Sequence, residues 1–335
     1  VGLVALGLGV LAVALLTCSI LVGSGEIPTS RVVDYLLGHP DAVADPQLQM
    51  VINTLRVPRT LTAVLVGAGL GVAGTLLQSA TRNPLAETGL LGVNSGAALG
   101  VVLGISYAGV ESGYGYLVWA FTGAAVASAL VLLIARTGGA MVSPLRLVLA
   151  GAALGATFRG IMASILLRQP NSYDQYRFWV IGSLSGVDMS IALRMLPAVV
   201  IGLLAAVLVA RPLSALHLGD DAARALGHRP GVVRVVVAVV VTLLAGASVA
   251  MAGPVAFLGL LAPYLARAVA GPRVLAQVAL SGLAGVVLML ASDVLARVVI
   301  RPYEAPVSVL LAIVGGPALI LIVRSRRLMT LRTES

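Results

Sequence analysis

Along this chain apolar residues come in blocks of about 17–25, each long enough to cross the hydrocarbon core of a bilayer as a helix, separated by short polar or Pro/Gly-rich breaks. The blocks predict about ten spans, at roughly 1–22, 59–80, 90–106, 116–136, 146–168, 192–210, 233–252, 254–270, 276–297 and 304–323. An even number of crossings returns both termini to one side. The longest polar interruption, RPLSALHLGDDAARALGHRPGVVR from Arg211 to Arg234, divides two very apolar halves. Within it Pro212 suits a first helical position, and LSALHL supplies about a turn and a half after it. Gly219 then breaks the chain. Asp220 and Asp221 open a second short helix, with Arg224 four residues after Asp220, and Gly227 and Pro230 end it. Helices this short are marginal alone. Two readings are open: a membrane-surface loop that pairs its own charges, or a knuckle that presents a small helix to a soluble partner.

The other breaks differ in kind. Between the first two blocks the chain is polar, punctuated by Pro and Gly, with an amphipathic segment near Arg31–Leu37; it reads as a loop on the membrane surface. LRVPR, at its end, sets Arg56 and Arg59 around Pro58 at the mouth of the second span. QSATRNPLAETGLLGVNSGAALG, from Gln78, holds Pro, Gly, Asn and Glu87 inside an apolar run. Irregular backbone at membrane depth survives only where it is buried in protein or lines a wet cavity, so a pathway-lining turn is expected there. RQPNSYDQYRFWVIGSLSGVDM is too polar to span, and FWVIGSL suggests a short helix dipping part way in. GPVAFLGLLAPYLARAVAGP is another Gly/Pro-broken span; it and NPLAETGLLG enter from opposite sides, as an inverted repeat requires.

Composition sets the class. Mean hydropathy is +1.05 and only 10% of residues are charged, well below a soluble domain's roughly 25%, so this is an all-α polytopic membrane protein. The 38 glycines suit close helix–helix approach in lipid. All 22 basic residues are Arg, which excludes a P-loop ATPase site, whose GxxxxGK[ST] needs Lys, and any lysine Schiff base. The formal charge of +9 is spread over span ends, which argues for orientation in an anionic membrane and against nucleic acid. With the termini inside, Arg82, Arg136, Arg146, Arg211, Arg224, Arg229, Arg234, Arg267, Arg273 and the tail arginines are cytoplasmic, as is the 211–234 knuckle. A single cysteine, Cys18, allows no disulfide framework, and His39, His217 and His228 are scattered in loops, so no metal centre is expected. Arg159 lies near the middle of the fifth span, where an arginine costs about 2.5–3.5 kcal/mol on the insertion scale; it should face a cavity or a partner. Asp293 and Arg297, four apart, share a helix face. An ion-coupled carrier would place carboxylates in mid-span, and here only Glu87 and Asp293 come near that.

Together these residues resemble the permease family of type II ABC importers for iron chelates, haem and cobalamin, the FecCD type. The matches are RVPR at 56–59, Q-x4-NPLA at 78–86, LLG with GAA at 90–98, W-x2-GSLSGV at 179–187, LG-x3-A-x2-LG at 218–227, G-P-V-x-F-x-G-L-x2-P at 253–263, D-x3-R at 293–297 and E-x-P-V at 304–307. They occur in family order over nearly the whole chain, 1–335, read as a single transmembrane permease domain with a coupling segment at about 211–231. Tyr264 departs from the pattern, where members commonly carry His.

The resemblance implies a second permease subunit, two cytoplasmic ATPase subunits that hold the ATP and Mg, and a substrate-binding protein on the far side, with no cofactor on this chain. It implies a bacterial cytoplasmic membrane with both termini inside, and uptake of an iron chelate, a ferric siderophore first, with cobalamin or haem as alternatives. Leu218, Gly219, Asp220, Asp221, Ala223, Arg224, Leu226 and Gly227 match the ATPase-coupling segment, which favours the knuckle reading. Arg56, Arg59 and Arg297 match the arginines that receive acidic residues of the binding protein. Asn83 and Leu85 match one cytoplasmic gate, and Met141, Val142 and Ser143 lie where a second gate belongs. Arg159 is expected to face the pathway and favour anionic ligands.

Overall fold

A computed structural model describes residues 1–25, 27–111, 113–136 and 144–324. Among them the regular structure is helical. Seven helices are long and apolar enough to cross a membrane, and three shorter apolar helices join them, which accounts for the spans the hydrophobic blocks predict. The first is α1, Gly2–Leu21. After it the surface segment folds into α2 (Thr29–Leu36), α3 (Pro40–Val43) and α4 (Pro46–Met50), whose Val32, Ala42 and Leu48 make a small apolar cluster with Ile52 just beyond. The amphipathic segment near Arg31 is therefore a helix, as its pattern predicts.

The second span starts earlier than its hydropathy suggests. α4 runs on through a π-helical turn, Val51–Arg56, into α5, Val57–Thr81. Pro58 comes just after the π turn, whose wider spacing accommodates the ring inside a continuous helix. α5 is the centre of the molecule and is buried on nearly every face. Its glycines set how close the neighbours come: a Cβ on Gly67 would lie 2.6 Å from the Gly285 carbonyl oxygen, and one on Gly71 or Gly74 would strike the carbonyls of Ser281 or Gly259. Backbone contact of this kind needs residues without side chains.

α6 (Val93–Ala108), α7 (Gly113–Arg136), α8 (Pro144–Arg168) and α9 (Pro170–Val180) follow. α9 corrects one expectation. The helix lies on PNSYDQYRFWV, not on FWVIGSL, because Gly182 and Gly186 adopt positive φ and turn the chain there. α10, Met189–His217, corrects another: it runs straight through Pro212, where a helix start was expected. Leu213 and Leu216 are buried, Ser214 Oγ donates to the Ala210 carbonyl, and tertiary packing outweighs the lost backbone bond. α11 (Asp220–Ala225) is the short helix expected after Gly219, whose φ is +110°. α12 (Pro230–Ala252), α13 (Leu258–Ala270), α14 (Val274–Val298) and α15 (Val307–Arg324) complete the fold.

The core is α5, α12 and α14, all mostly buried, with α1, α8 and α10 keeping most of their surface outside. The two Pro/Gly-broken stretches meet inside it. The turn after α5 carries a 3-10 helix, Thr88–Leu91, and Glu87 accepts a hydrogen bond from the backbone N–H of Phe257 in the break before α13.

Candidate functional site

Most of the described candidate residues gather at the two ends of α5. At its start, Arg56, Arg59 and Arg297 come together although Arg297 is far away in sequence, and all three are buried. Arg59 Nε donates to Asp293 Oδ1 (2.8 Å) and its Nη1 to Glu304 Oε2 (2.5 Å). Arg297 donates to the other oxygen of Asp293, to the Ser19 carbonyl (2.7 Å) and to Ser19 Oγ (3.0 Å). Arg56 Nη1 donates to the carbonyls of Ile20 (2.7 Å) and Leu21 (2.9 Å), capping the end of α1. Glu304 is further held by Ser24 Oγ at 2.7 Å and Ser185 Oγ at 3.2 Å. Burial works to raise the Glu304 carboxyl, but the hydrogen bond and charge of Arg59, with the two serines, outweigh it and hold the group below the usual 4.5. A cavity of about 280 Å³ opens beside the cluster, bounded by Gly23–Gly25, Leu55, the three arginines, Ser185 and Glu304. The i, i+4 pairing of Asp293 with Arg297 matches the spacing; the contacts of Glu304 with Ser24 and Ser185 have no local signal beyond the E-x-P-V match at 304–307 and the GSLSGV match that contains Ser185.

At the other end of α5, the knuckle is built on Asp220. Arg234 binds it with both guanidinium nitrogens (2.7 and 2.9 Å), and Arg82 Nη2 adds a third bond at 2.9 Å. The Arg234 hydrogen bonds hold the Asp220 carboxyl below its usual 3.8; burial opposes them, and the charges of Arg234 and Arg82 add to them. Arg82 is the αL residue that ends α5 (φ 51°), and it also donates to the Leu216 carbonyl at the end of α10. Asp220 thus joins α11, α12, α10 and the turn after α5. The expected pairing of Asp220 with Arg224 is not made; Arg224 pairs instead with Asp221, at 2.5 Å. Ala223 is buried under α11, whereas Leu218 and Leu226 stand 70% and 60% exposed on either side of it. Gly219 and Gly227, both at positive φ, set the corners. Next to this hub, Asn83 and Leu85 form the tip of the turn after α5: Asn83 Oδ1 accepts from the Leu85 N–H (2.9 Å), and both residues are exposed. Met141, Val142 and Ser143 lie outside the described residues.

Arg159 belongs to neither cluster. It is exposed on α8, whose outward residues include Ala152, Ala153, Ala156, Thr157, Gly160 and Ala163 together with the larger Leu149 and Ile161. Among the described residues no group of His, Cys, Asp and Glu has a metal-holding arrangement.

This helical bundle, with a polar cluster at each end of its buried central helix, has the fold of the membrane part of an ABC transporter. The chain superposes with a TM-score of 0.84 on a solved structure described as a metal-chelate type ABC transporter in an inward-facing conformation, at 28% identity, covering 97% of this chain and 99% of that one. It belongs to the FecCD transport family, which it matches over residues 11–325. It is 39% identical over 320 residues to the ferric enterobactin transport system permease protein FepD of Escherichia coli, covering 96% of this chain and 94% of that protein. It is 38% identical to the Fe(3+)-citrate import system permease protein YfmD of Bacillus subtilis, with 83% of each chain covered.

Proposed function

We propose that this chain is the non-catalytic permease subunit of an ABC importer of a ferric chelate, a siderophore foremost, in a bacterial cytoplasmic membrane. Its cargo is inferred from relatives that carry ferric enterobactin and ferric citrate. A second permease subunit completes the pathway, two cytoplasmic ATPases bind beneath the knuckle, and a substrate-binding protein docks at the arginine end; both termini are cytoplasmic. The observation that carries the reading is the exposed Leu218–Gly227 knuckle, tied through Asp220 to Arg82 at the turn that holds Asn83 and Leu85. A chain without lysine has no P-loop of its own, so the energy enters through that contact. Closure of the ATPases on ATP draws the knuckles together and shifts the turn, because ATP binds one arrangement better than the other. Asn83 and Leu85 form one inner gate on this reading, and Met141, Val142 and Ser143 a second.

At the outer end, Arg56, Arg59 and Arg297 receive acidic side chains of the binding protein, an arrangement that steers encounter and fixes register. Arg159, unpartnered by any carboxylate on its own exposed face, lines the pathway between two subunits and favours anionic chelates. An ion-coupled carrier fits less well: both oxygens of Asp293 are committed to arginines. The deciding experiment is ATPase activity of the purified complex with and without binding protein, wild type against Arg56→Glu/Arg59→Glu. Lost stimulation in the variant is expected. Stimulation equal to wild type removes these arginines from docking, and the absence of any associated ATPase returns the chain to the carrier class.

A further inference from the structure

The arginine cluster contains, among the described residues, three guanidinium groups and two carboxylates, and the two carboxylates are not equivalent. Asp293 is fully buried and gives one oxygen to Arg59 and the other to Arg297. No group from outside reaches it. Glu304 keeps 24% of its side chain exposed on the wall of the cavity, and a single guanidinium nitrogen and two hydroxyls hold it. Those contacts come from separate connections: Ser24 follows α1, Ser185 lies between α9 and α10, and Glu304 itself lies between α14 and α15. The connection carrying Ser185 is also pinned from behind, since Ser183 N–H donates to the Ala252 carbonyl (2.9 Å) and Ser308 Oγ to those of Ile181 and Gly182. One reachable carboxylate therefore fastens three outer connections to the start of α5.

We infer that Glu304 is an internal stand-in for a partner's carboxylate: an acidic side chain of the docking protein exchanges with it at Arg59, and the exchange releases the Ser24 connection and the Ser185 end of the α9–α10 connection, whose Ile181–Ser183 end stays pinned. This rests on the docking reading of Arg56, Arg59 and Arg297 and adds what docking does to the permease. Exchange keeps both carboxylate bonds of the buried Arg59 made throughout, Asp293 on one side and Glu304 or its replacement on the other, so that neither of those donors is left unpaired. The three-to-two charge balance leaves the cavity positive and draws an acidic group to its mouth. Guanidinium donors point in a fixed fork, so an incoming carboxylate takes up the position that Glu304 leaves. Glu304, at the rim, is received by water.

The test uses the complete transporter in lipid nanodiscs, titrated with the cell's own ferric-chelate-binding protein carrying a fluorophore. Glu304→Gln keeps the shape and the serine contacts but removes the competing charge. It is expected to bind the protein roughly threefold tighter or more, the worth of one partly exposed charge pair, with basal ATPase raised and the fold-stimulation reduced. Unchanged or weaker binding overturns the inference, because Glu304 would then hold Arg59 in place for docking instead of competing with it. Should that variant fail to assemble, spin labels on Gly25→Cys and Tyr303→Cys in a Cys18→Ser background report the Ser24 and Glu304 connections with Glu304 intact: docking lengthens their separation, and an unchanged separation overturns the idea. Arg56→Glu/Arg59→Glu tells the two failures apart. If that complex binds like wild type, the docking reading itself falls; if it loses binding while Glu304→Gln matches wild type, only the exchange falls.

Discussion

Asp220 accepts hydrogen bonds from Arg82 and Arg234, and these bonds join the knuckle to the turn after α5. Asp220→Asn keeps the shape of the side chain but weakens charge-assisted bonds worth about 1.5–3 kcal/mol when well formed, less here because Asp220 is partly exposed. The expected result is uncoupling: ATP hydrolysis within about twofold of wild type, but roughly tenfold less chelate carried per ATP, since about 1.4 kcal/mol is tenfold. Asp220→Glu should recover part of the loss; parallel loss of both activities would mean that Asp220 supports only folding. The depressed carboxyl has a definite pH signature. A group whose folded value lies below its unfolded value contributes stability in full above the unfolded value, here 3.8, and loses it as pH falls toward the folded one. Asp220 should therefore leave thermal stability flat from pH 8 to roughly 5 and contribute to its fall only below about 4, a fall that Asp220→Asn blunts. Spacing along one helix made Asp293–Arg297 legible in the sequence. The same reasoning paired Asp220 with Arg224 and failed, because Asp221 is the better-placed neighbour and Asp220 is claimed by arginines from other helices. A contact between Arg82 and Asp220, 138 positions apart, leaves no local signal.

Helix by helix, small residues explain more than hydrophobicity does. Gly71→Leu on α5 drives a side chain into the Ser281 carbonyl of α14, an overpacking that costs about 1–3 kcal/mol or more. The midpoint of thermal unfolding in detergent should drop clearly. Gly7→Leu on α1 meets open space and should change it little, so equal effects would contradict the close-approach argument. The apolar blocks located the long helices because bilayer thickness fixes their length. Pro212 was misread because proline rules describe helices in water, where nothing compels the chain to continue; here buried Leu213 and Leu216 hold it in line. Hydropathy also could not reveal that the second span reaches back to Pro46, since its extension is a π turn on polar sequence.

Seen as one body, the molecule is lopsided. Burial concentrates on α5, α12 and α14, whereas α8 turns a face of alanines, glycine and Arg159 outward. An outward-facing cation among alanines and glycine, with only Leu149 and Ile161 as larger neighbours, is costly against lipid and fits a second subunit with a wet space between. Ala156→Cys, in a Cys18→Ser background, should cross-link the two permease subunits under mild oxidation, and none in the intact complex would place that face in lipid. Arg159→Gln should slow transport of an anionic chelate in a normally assembled complex; unchanged transport would remove Arg159 from the pathway. No sequence pattern separates a face that meets a partner from one that meets lipid, so this asymmetry was visible only in the folded chain.

α5 carries Arg59 near one end and is closed by Arg82 at the other, 23 residues and about 35 Å away along one helix. Close packing through its glycines fixes that helix against α13 and α14, so a displacement at one end has a continuous packed path to the other. Thermodynamic linkage then imposes a symmetry on the assembled transporter. Whatever factor nucleotide on the ATPases applies to the affinity for the binding protein, the binding protein must apply, unchanged, to the affinity for nucleotide.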